Sequence, residues 1–182
     1  MNQAHSNLMV AVCNQVVWIK IYGRADFSSS LDLKKLINEL WERGYNRFVF
    51  ELAECLMMDS TFLGVLSGIG LKFCATSNGQ GSALELVNPN PRIVEVLDNL
   101  GVSHLFQIRD SSDRSTNKFE PLTRAPGATQ ADVTRNCLEA HQTLMDINPD
   151  NVPKFKDVAQ FLAENLKRQE SNQKDGENSK PS

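Results

Sequence analysis

Residues 62–73 of this chain, FLGVLSGIGLKF, are apolar on nearly every side. The run is too long for an ordinary strand, and as a helix it carries apolar side chains all round. A helix of that kind has to be buried. Gly64, Gly68 and Gly70 lower its helix propensity but let it pack closely against a sheet. Three cap-type residues, Asp59, Ser60 and Thr61, stand directly before it. Before those comes a short strand with a nearly continuous apolar centre, RFVFEL at residues 47–52.

The flanking periodicities extend this unit. Residues 8–12 and 16–22 are β-rich and flank the turn-like Asn14, which predicts a hairpin. Gly23, Arg24, Ala25 and Asp26 break the second strand. Ser28, Ser29 and Ser30 then offer N-cap oxygens to a helix carrying Leu31, Leu33, Leu36, Ile37, Leu40 and Trp41, which Gly44 stops. A strand is predicted over 83–87. A helix follows, with Asn90 as its cap, Pro91 at its first position and Ile93, Val96, Leu97 and Leu100 as its stripe. Gly101 ends it, and a last strand is predicted over 105–108. The order β-β-α-β-α-β-α-β predicts an α/β fold. Its sheet is mixed and mostly parallel, opened by an antiparallel hairpin, with helices packed on it.

Composition divides the rest. Residues 110–130 are rich in Ser, Thr, Asp, Arg and Pro and read as a loop or linker. Residues 131–168 return to helical spacing as a C-terminal extension of two segments. Val133, Cys137, Leu138, Leu144 and Met145 line one face, with His141 among them; Phe155, Val158, Ala159, Leu162 and Leu166 line the other. Asn148, Pro149 and Asp150 separate the two. Residues 169–182 hold no apolar side chain and are expected to be a disordered tail. The plan is thus a domain at 8–109, a linker at 110–130, a helical extension at 131–168 and a tail.

The charge balance, 19 basic against 22 acidic residues, argues against nucleic acid as a partner. No apolar run reaches the eighteen or so residues that cross a bilayer, and the first residues lack the pattern of a signal peptide. A cytoplasmic protein without membrane contact is expected. Cys13, Cys55, Cys74 and Cys137 are widely spaced and read as buried reduced thiols; neither they nor His5, His104 and His141 show metal-ligand spacing. No metal or cofactor is expected.

The chemistry concentrates at Met57, Met58, Asp59, Ser60 and Thr61. Partners usually engage the carboxyl ends of strands in open α/β sheets. A helix N-terminus there presents unpaired N–H groups and partial positive charge, which would hold a phosphate on Ser60. Ser60 or Asp59 can equally be a plain N-cap, and the two readings are compatible. A serine nucleophile would need G-x-S-x-G, and M-D-S-T-F does not provide it. Its base would be His104 or His141. Gly79 and Gly81 lack the third glycine of a dinucleotide loop. His141, on an apolar helix face, reads as a packed residue, and Asp26 as a cap or turn residue. Lys34, Lys35, Lys72, Arg43 and Arg47 are dispersed and read as solvated. No catalytic residue is expected, and the chain does not read as an enzyme.

Three stretches resemble the STAS family, named for sulfate transporters and anti-sigma factor antagonists. Residues 21–26 (IYGRAD) resemble its strand ending in Gly-x-x-Asp. Residues 48–52 followed by 58–66 (MDSTFLGVL) resemble its buried strand and Asp-Ser-(Ser/Thr)-Gly-Leu-Gly-x-Leu signature. Residues 100–108 resemble its third helix end and final strand. The resemblance covers residues 8–109 and implies a stand-alone anti-sigma factor antagonist. Such a module binds a serine-kinase anti-sigma factor when unphosphorylated. The kinase phosphorylates the serine after the aspartate, here Ser60, and a serine phosphatase reverses this. The implied partner surface comprises Asp26, Asp59, Ser60, Thr61 and Phe62, with Phe62 standing where the family has glycine. The alternative is a STAS scaffold subunit of a signalling or lipid-transport complex with no phospho-switch. A homodimer through the C-terminal helices stays open.

Overall fold

The computed structural model describes residues 7–76, 84–111, 118–123 and 127–177. The chain opens with strands β1 (Leu8–Cys13) and β2 (Val16–Ile21), paired antiparallel from Leu8↔Ile21 to Cys13↔Val16. Asn14 and Gln15 both take the left-handed conformation, φ 51° and 64°. A two-residue turn of that hand matches the twist of the strands it joins.

Beyond the hairpin the chain alternates. A short strand β3 (Gly23–Ala25) leads into helix α1 (Phe27–Glu42), followed by β4 (Arg47–Glu51) and a second short strand, β5 (Cys55–Met58). Next come α2 (Ser60–Thr76), β6 (Leu84–Val87), α3 (Pro91–Asn99) and β7 (Gln107–Arg109). Last are β8 (Glu120–Pro121), α4 (Gln130–Ile147) and α5 (Val152–Glu177). The main sheet runs β7-β6-β4-β2-β1-β8, parallel from β7 to β2 and antiparallel around β1. The mixed, mostly parallel sheet expected from the hydrophobic pattern is present.

Four details differ from the sequence reading. The chain does not merely break at Gly23. It resumes as β3 and pairs in parallel with β5, apart from the main sheet. The last parallel strand starts at Gln107, because Ser103–Leu105 form a 3-10 turn that buries Leu105. Residues 120–121, within the stretch read as linker, extend the sheet at the outer edge of β1. Helix α5 continues to Glu177, past the end of its apolar stripe. Gln, Glu, Lys and Arg are adequate helix formers, and extending an existing helix avoids the cost of nucleation. His5, the Gly79–Gly81 loop and residues 178–182 lie outside the described residues.

One core unites these elements. Ile19, Phe48 and Phe50 from the sheet, Leu33 and Ile37 from α1, and Leu63, Leu66 and Phe73 from α2 are all essentially inaccessible. Each such side chain contributes roughly 1.5–3 kcal/mol on burial. The same cluster includes Ala140 and Leu144 of α4. Helix α2 packs against α4 more extensively than any other two elements pack together. The all-round apolar character of α2 thereby has its explanation: the sheet-side core and α1 cover part of it, and α4 covers the rest.

The α2–α4 contact rests on small residues. A Cβ on Gly64 would lie 2.3 Å from the Ala140 carbonyl oxygen and 2.8 Å from its Cβ. At Gly68 it would lie 3.6 Å from the Thr143 methyl, an ordinary contact. Buried Asn151 pins the turn between α4 and α5, donating to the carbonyls of Leu100 and Leu144 at 2.9 Å each.

These clearances predict opposite results for two similar substitutions. Gly64→Ala should destabilise the protein by about 1–3 kcal/mol, because backbone cannot yield as a flexible side chain can. Gly68→Ala should be neutral or stabilising by up to about 1 kcal/mol through helix propensity. Urea denaturation of both variants checks this.

Candidate functional site

The two-stranded parallel clip sets the geometry of the site. Arg24 pairs with Met57 and Ala25 with Met58. The next residues, Asp26 and Asp59, therefore emerge together, and the Asp59 N–H donates to the Ala25 carbonyl at 2.9 Å. Parallel strands end at the same side, so α1 and α2 begin side by side with both positive helix ends converging.

Each aspartate is a cap. Asp26 Oδ1 accepts from the Ser28 N–H (3.1 Å), the Ser28 hydroxyl (2.7 Å) and the Ser29 N–H (3.3 Å). Ser29 reciprocates by accepting from the Asp26 N–H, which completes a capping box. Partial burial pushes the Asp26 carboxyl upward, but the hydrogen bonds from Ser28 and Ser29 together outweigh it and hold it below the usual value. Asp59 spans both helices. Its Oδ1 accepts from the Phe62 N–H of α2 and its Oδ2 from the Phe27 N–H of α1, each at 2.8 Å. Asp26 and Asp59 are caps, one of the readings the sequence left open for each, and Asp26 rather than the serines at 28–30 starts α1; that Asp59 also reaches the N–H of Phe27 in α1 was not read from the pattern.

Ser60 begins α2 and is half-buried, with its hydroxyl 3.0 Å from Nε2 of His141 on α4. The other ring nitrogen, Nδ1, lies 2.7 Å from the Cys137 carbonyl, which can only accept. Nδ1 therefore carries the hydrogen. In the neutral ring Nε2 is a bare acceptor, and the Ser60 hydroxyl donates to it. Cys137 sits one turn before His141. Burial pushes its thiol up, Asp59 adds to this by charge, and a hydrogen bond with the Thr61 side chain opposes both without cancelling them. Cys137 and His141 thus overlie Asp59, Ser60 and Thr61 together. His141 is packed as the sequence suggested, 5% exposed and against the Phe155 ring at 5.2 Å, but it also holds Ser60.

The remaining expected residues lie elsewhere. Thr61 is buried, and Phe62 is fully inaccessible within the core. Phe62 therefore offers a partner no side-chain surface. Two residues that sequence reasoning passed over stand out at the rim instead. Phe27 is 49% exposed and Leu56 is 68% exposed. Phe27 directly follows Asp26, so a large apolar side chain beside a capping carboxylate was the available signal for it, whereas Leu56 lies three residues before Asp59 in β5 and carried no such signal. Nearby, Met57, Met58, Leu63, Arg92, Ile93 and Val96 line a small cavity of about 70 Å³.

A serine hydrogen-bonded to a histidine invites a nucleophile reading, and the surroundings oppose it. Asp59 consumes the Phe62 N–H that could face an oxyanion, and its carboxylate would repel one. The ring is oriented by a carbonyl, which lacks the charge to stabilise an imidazolium as a carboxylate would. Cys137, with its thiol held protonated, is no substitute. Among the four cysteines only Cys55 is fully buried, its thiol pushed up to about 11 by burial; Cys13 and Cys74 are exposed, contrary to the sequence expectation. No cluster of metal-ligating side chains occurs among the described residues.

Two stability tests follow from the caps. Asp59→Ala removes a cap from two helices and should cost about 2 kcal/mol or more, with Asp59→Asn costing less because one acceptor survives. Asp26 has a lowered native pKa, so its contribution is complete above the ordinary aspartate value. It drains away as pH falls through the lowered value. The stability gap between wild type and Asp26→Asn should therefore hold steady from neutrality down to the ordinary aspartate value, about 3.9, and shrink only as pH falls below it. Denaturant titrations across that range read both.

Comparison with solved structures places this arrangement among related folds. A putative anti-sigma factor antagonist from Thermotoga maritima, TM1081, superposes with a TM-score of 0.51 at 22% identity, covering 61% of this chain and 92% of that one. The anti-sigma factor antagonist SpoIIAA in its unphosphorylated form superposes at 0.50 with 18% identity, covering 58% and 89%. No curated protein matches the chain. The STAS domain model matches residues 7–115, from the first strand to beyond the last parallel one, and the chain belongs to the STAS domain family.

Proposed function

We propose that this chain is an anti-sigma factor antagonist, a cytoplasmic regulatory module whose partner surface surrounds Ser60. It engages an anti-sigma factor with serine kinase activity while Ser60 is unmodified, and lets go once Ser60 is phosphorylated. The observation carrying this reading is the position of Ser60. It lies at the first turn of α2, directly after the capping Asp59, whose carboxylate also accepts from the N–H of exposed Phe27; the strand that leads into this turn carries a second exposed apolar side chain, Leu56. Partly apolar, partly charged rims of this kind suit reversible protein contacts. The structural likeness to TM1081, a putative anti-sigma factor antagonist, and to the anti-sigma factor antagonist SpoIIAA supports the same role.

The switch is a charge event. The kinase forms an O–P bond at Ser60 Oγ and breaks the bond between the γ-phosphorus and the nucleoside diphosphate, while the hydroxyl proton passes to a base. A serine phosphatase returns the hydroxyl by hydrolysis. Phosphorylation adds about −1.5 to −2 charge beside Asp59. A loss of about 1.4–4 kcal/mol of binding energy lowers affinity roughly 10- to 1000-fold. Helix N–H groups limit the damage to the fold itself. Thr61 and Phe62, being buried, contribute by shaping the turn and the core.

One observation favours a second reading. A hydroxyl already committed to a buried histidine suits a scaffold without a phospho-switch. Incubation with the cognate kinase and ATP separates the two. The first reading expects intact mass to rise by one phosphate in wild type and not in Ser60→Ala. Absence of that species, or its presence in both, rejects it. In the same reading Phe27→Ser and Leu56→Ser each weaken partner binding about tenfold or more while leaving the melting temperature nearly unchanged.

A further inference from the structure

We infer that α4 is an internal gate on Ser60, held shut by His141, so that a phosphate on Ser60 and a docked α4 exclude one another. The inference rests on the reading of Ser60 as the modified residue and adds how this chain controls it.

The geometry is restrictive. The Ser60 hydroxyl donates to His141 Nε2 at 3.0 Å, and the ring cannot turn away because Nδ1 is tied to the Cys137 carbonyl. Phe155 of α5 backs the ring, and His141 is nearly inaccessible. In the side-chain orientation that bonds His141, a phosphoryl group on Oγ would enter the space that Nε2 occupies. It would also carry its negative charge beside Asp59, the capping carboxylate directly before Ser60. Lys34 of α1 is paired with Glu139, and Arg135 of α4 with Asp132 and Glu170. The simplest relief is movement of the His141 turn away from α2.

The docked state is held moderately. Asn136 donates to the Ser30 hydroxyl at 2.9 Å, and Ala140 nests on Gly64. Against these, the side-chain oxygen Oδ1 of Asn136 is buried with no hydrogen-bond partner, a standing cost that separation would remove by hydration. The far end of α4 stays anchored through Asn151 to Leu100. Only the half of α4 over α1 and the start of α2 needs to lift.

The test needs no kinase. Phosphoserine is placed at position 60 of the full chain by genetic encoding, and amide hydrogen exchange is followed by mass spectrometry. Exchange of residues 130–141 should accelerate about tenfold or more over the unmodified chain, with β2 and β4 unchanged. In a His141→Ala background, where the space is free, the phosphoserine should change exchange in that segment by less than about twofold. Unchanged or slower exchange in the His141 chain, or equal acceleration in both backgrounds, overturns the gate. The kinase assay is independent. If exchange responds but no kinase modifies Ser60, the gate geometry stands and the proposed function fails; the reverse pattern rejects the gate alone.

Discussion

Helix α2 is apolar on all sides, and a helix of that kind needs cover all round. The rest of the structure follows from meeting that requirement. The parallel strands and α1 supply part of the cover, and α4 supplies the remainder through the Gly64–Ala140 approach. The cover is fullest over residues 61–70, opens toward the C-terminal end where Leu71 and Cys74 are exposed, and reaches the first turn. Burying the helix therefore also places Cys137 and His141 over Ser60.

The same economy appears at the clip formed by β3 and β5. It is too short to add much stability by itself. Its effect is positional: it brings two helix starts together so that one carboxylate, Asp59, satisfies N–H groups of both. Two positive helix ends beside two carboxylates leave a corner that is locally balanced. Adding about two negative charges there is felt at once, without any need to reshape the sheet.

Much of this was legible in the pattern of residues. Alternating apolar runs marked the main strands, and the stripes marked the helices, because single-faced burial leaves a period in the sequence. Asp59, Ser60 and Thr61 announced the start of α2. The clip was not legible: three-residue strands such as Gly23–Ala25 carry no usable period, and their pairing is set by long-range contact. The hold on Ser60 was hidden for a related reason. His141 lies on an apolar face like any packed histidine, and only the docking of α4 brings it within 3.0 Å of a residue eighty-one positions away. Phe62 misled in the other direction. Its place in the family motif suggested the partner surface, whereas the helical turn points it into the core.

His141 holds the Ser60 hydroxyl from across the fold. A double-mutant cycle on stability, using Ser60→Ala, His141→Ala and the pair, measures that contact directly. The expected coupling is about 0.5–1.5 kcal/mol, the size of a net hydrogen bond. A coupling indistinguishable from zero, with the two single changes simply adding, would contradict it.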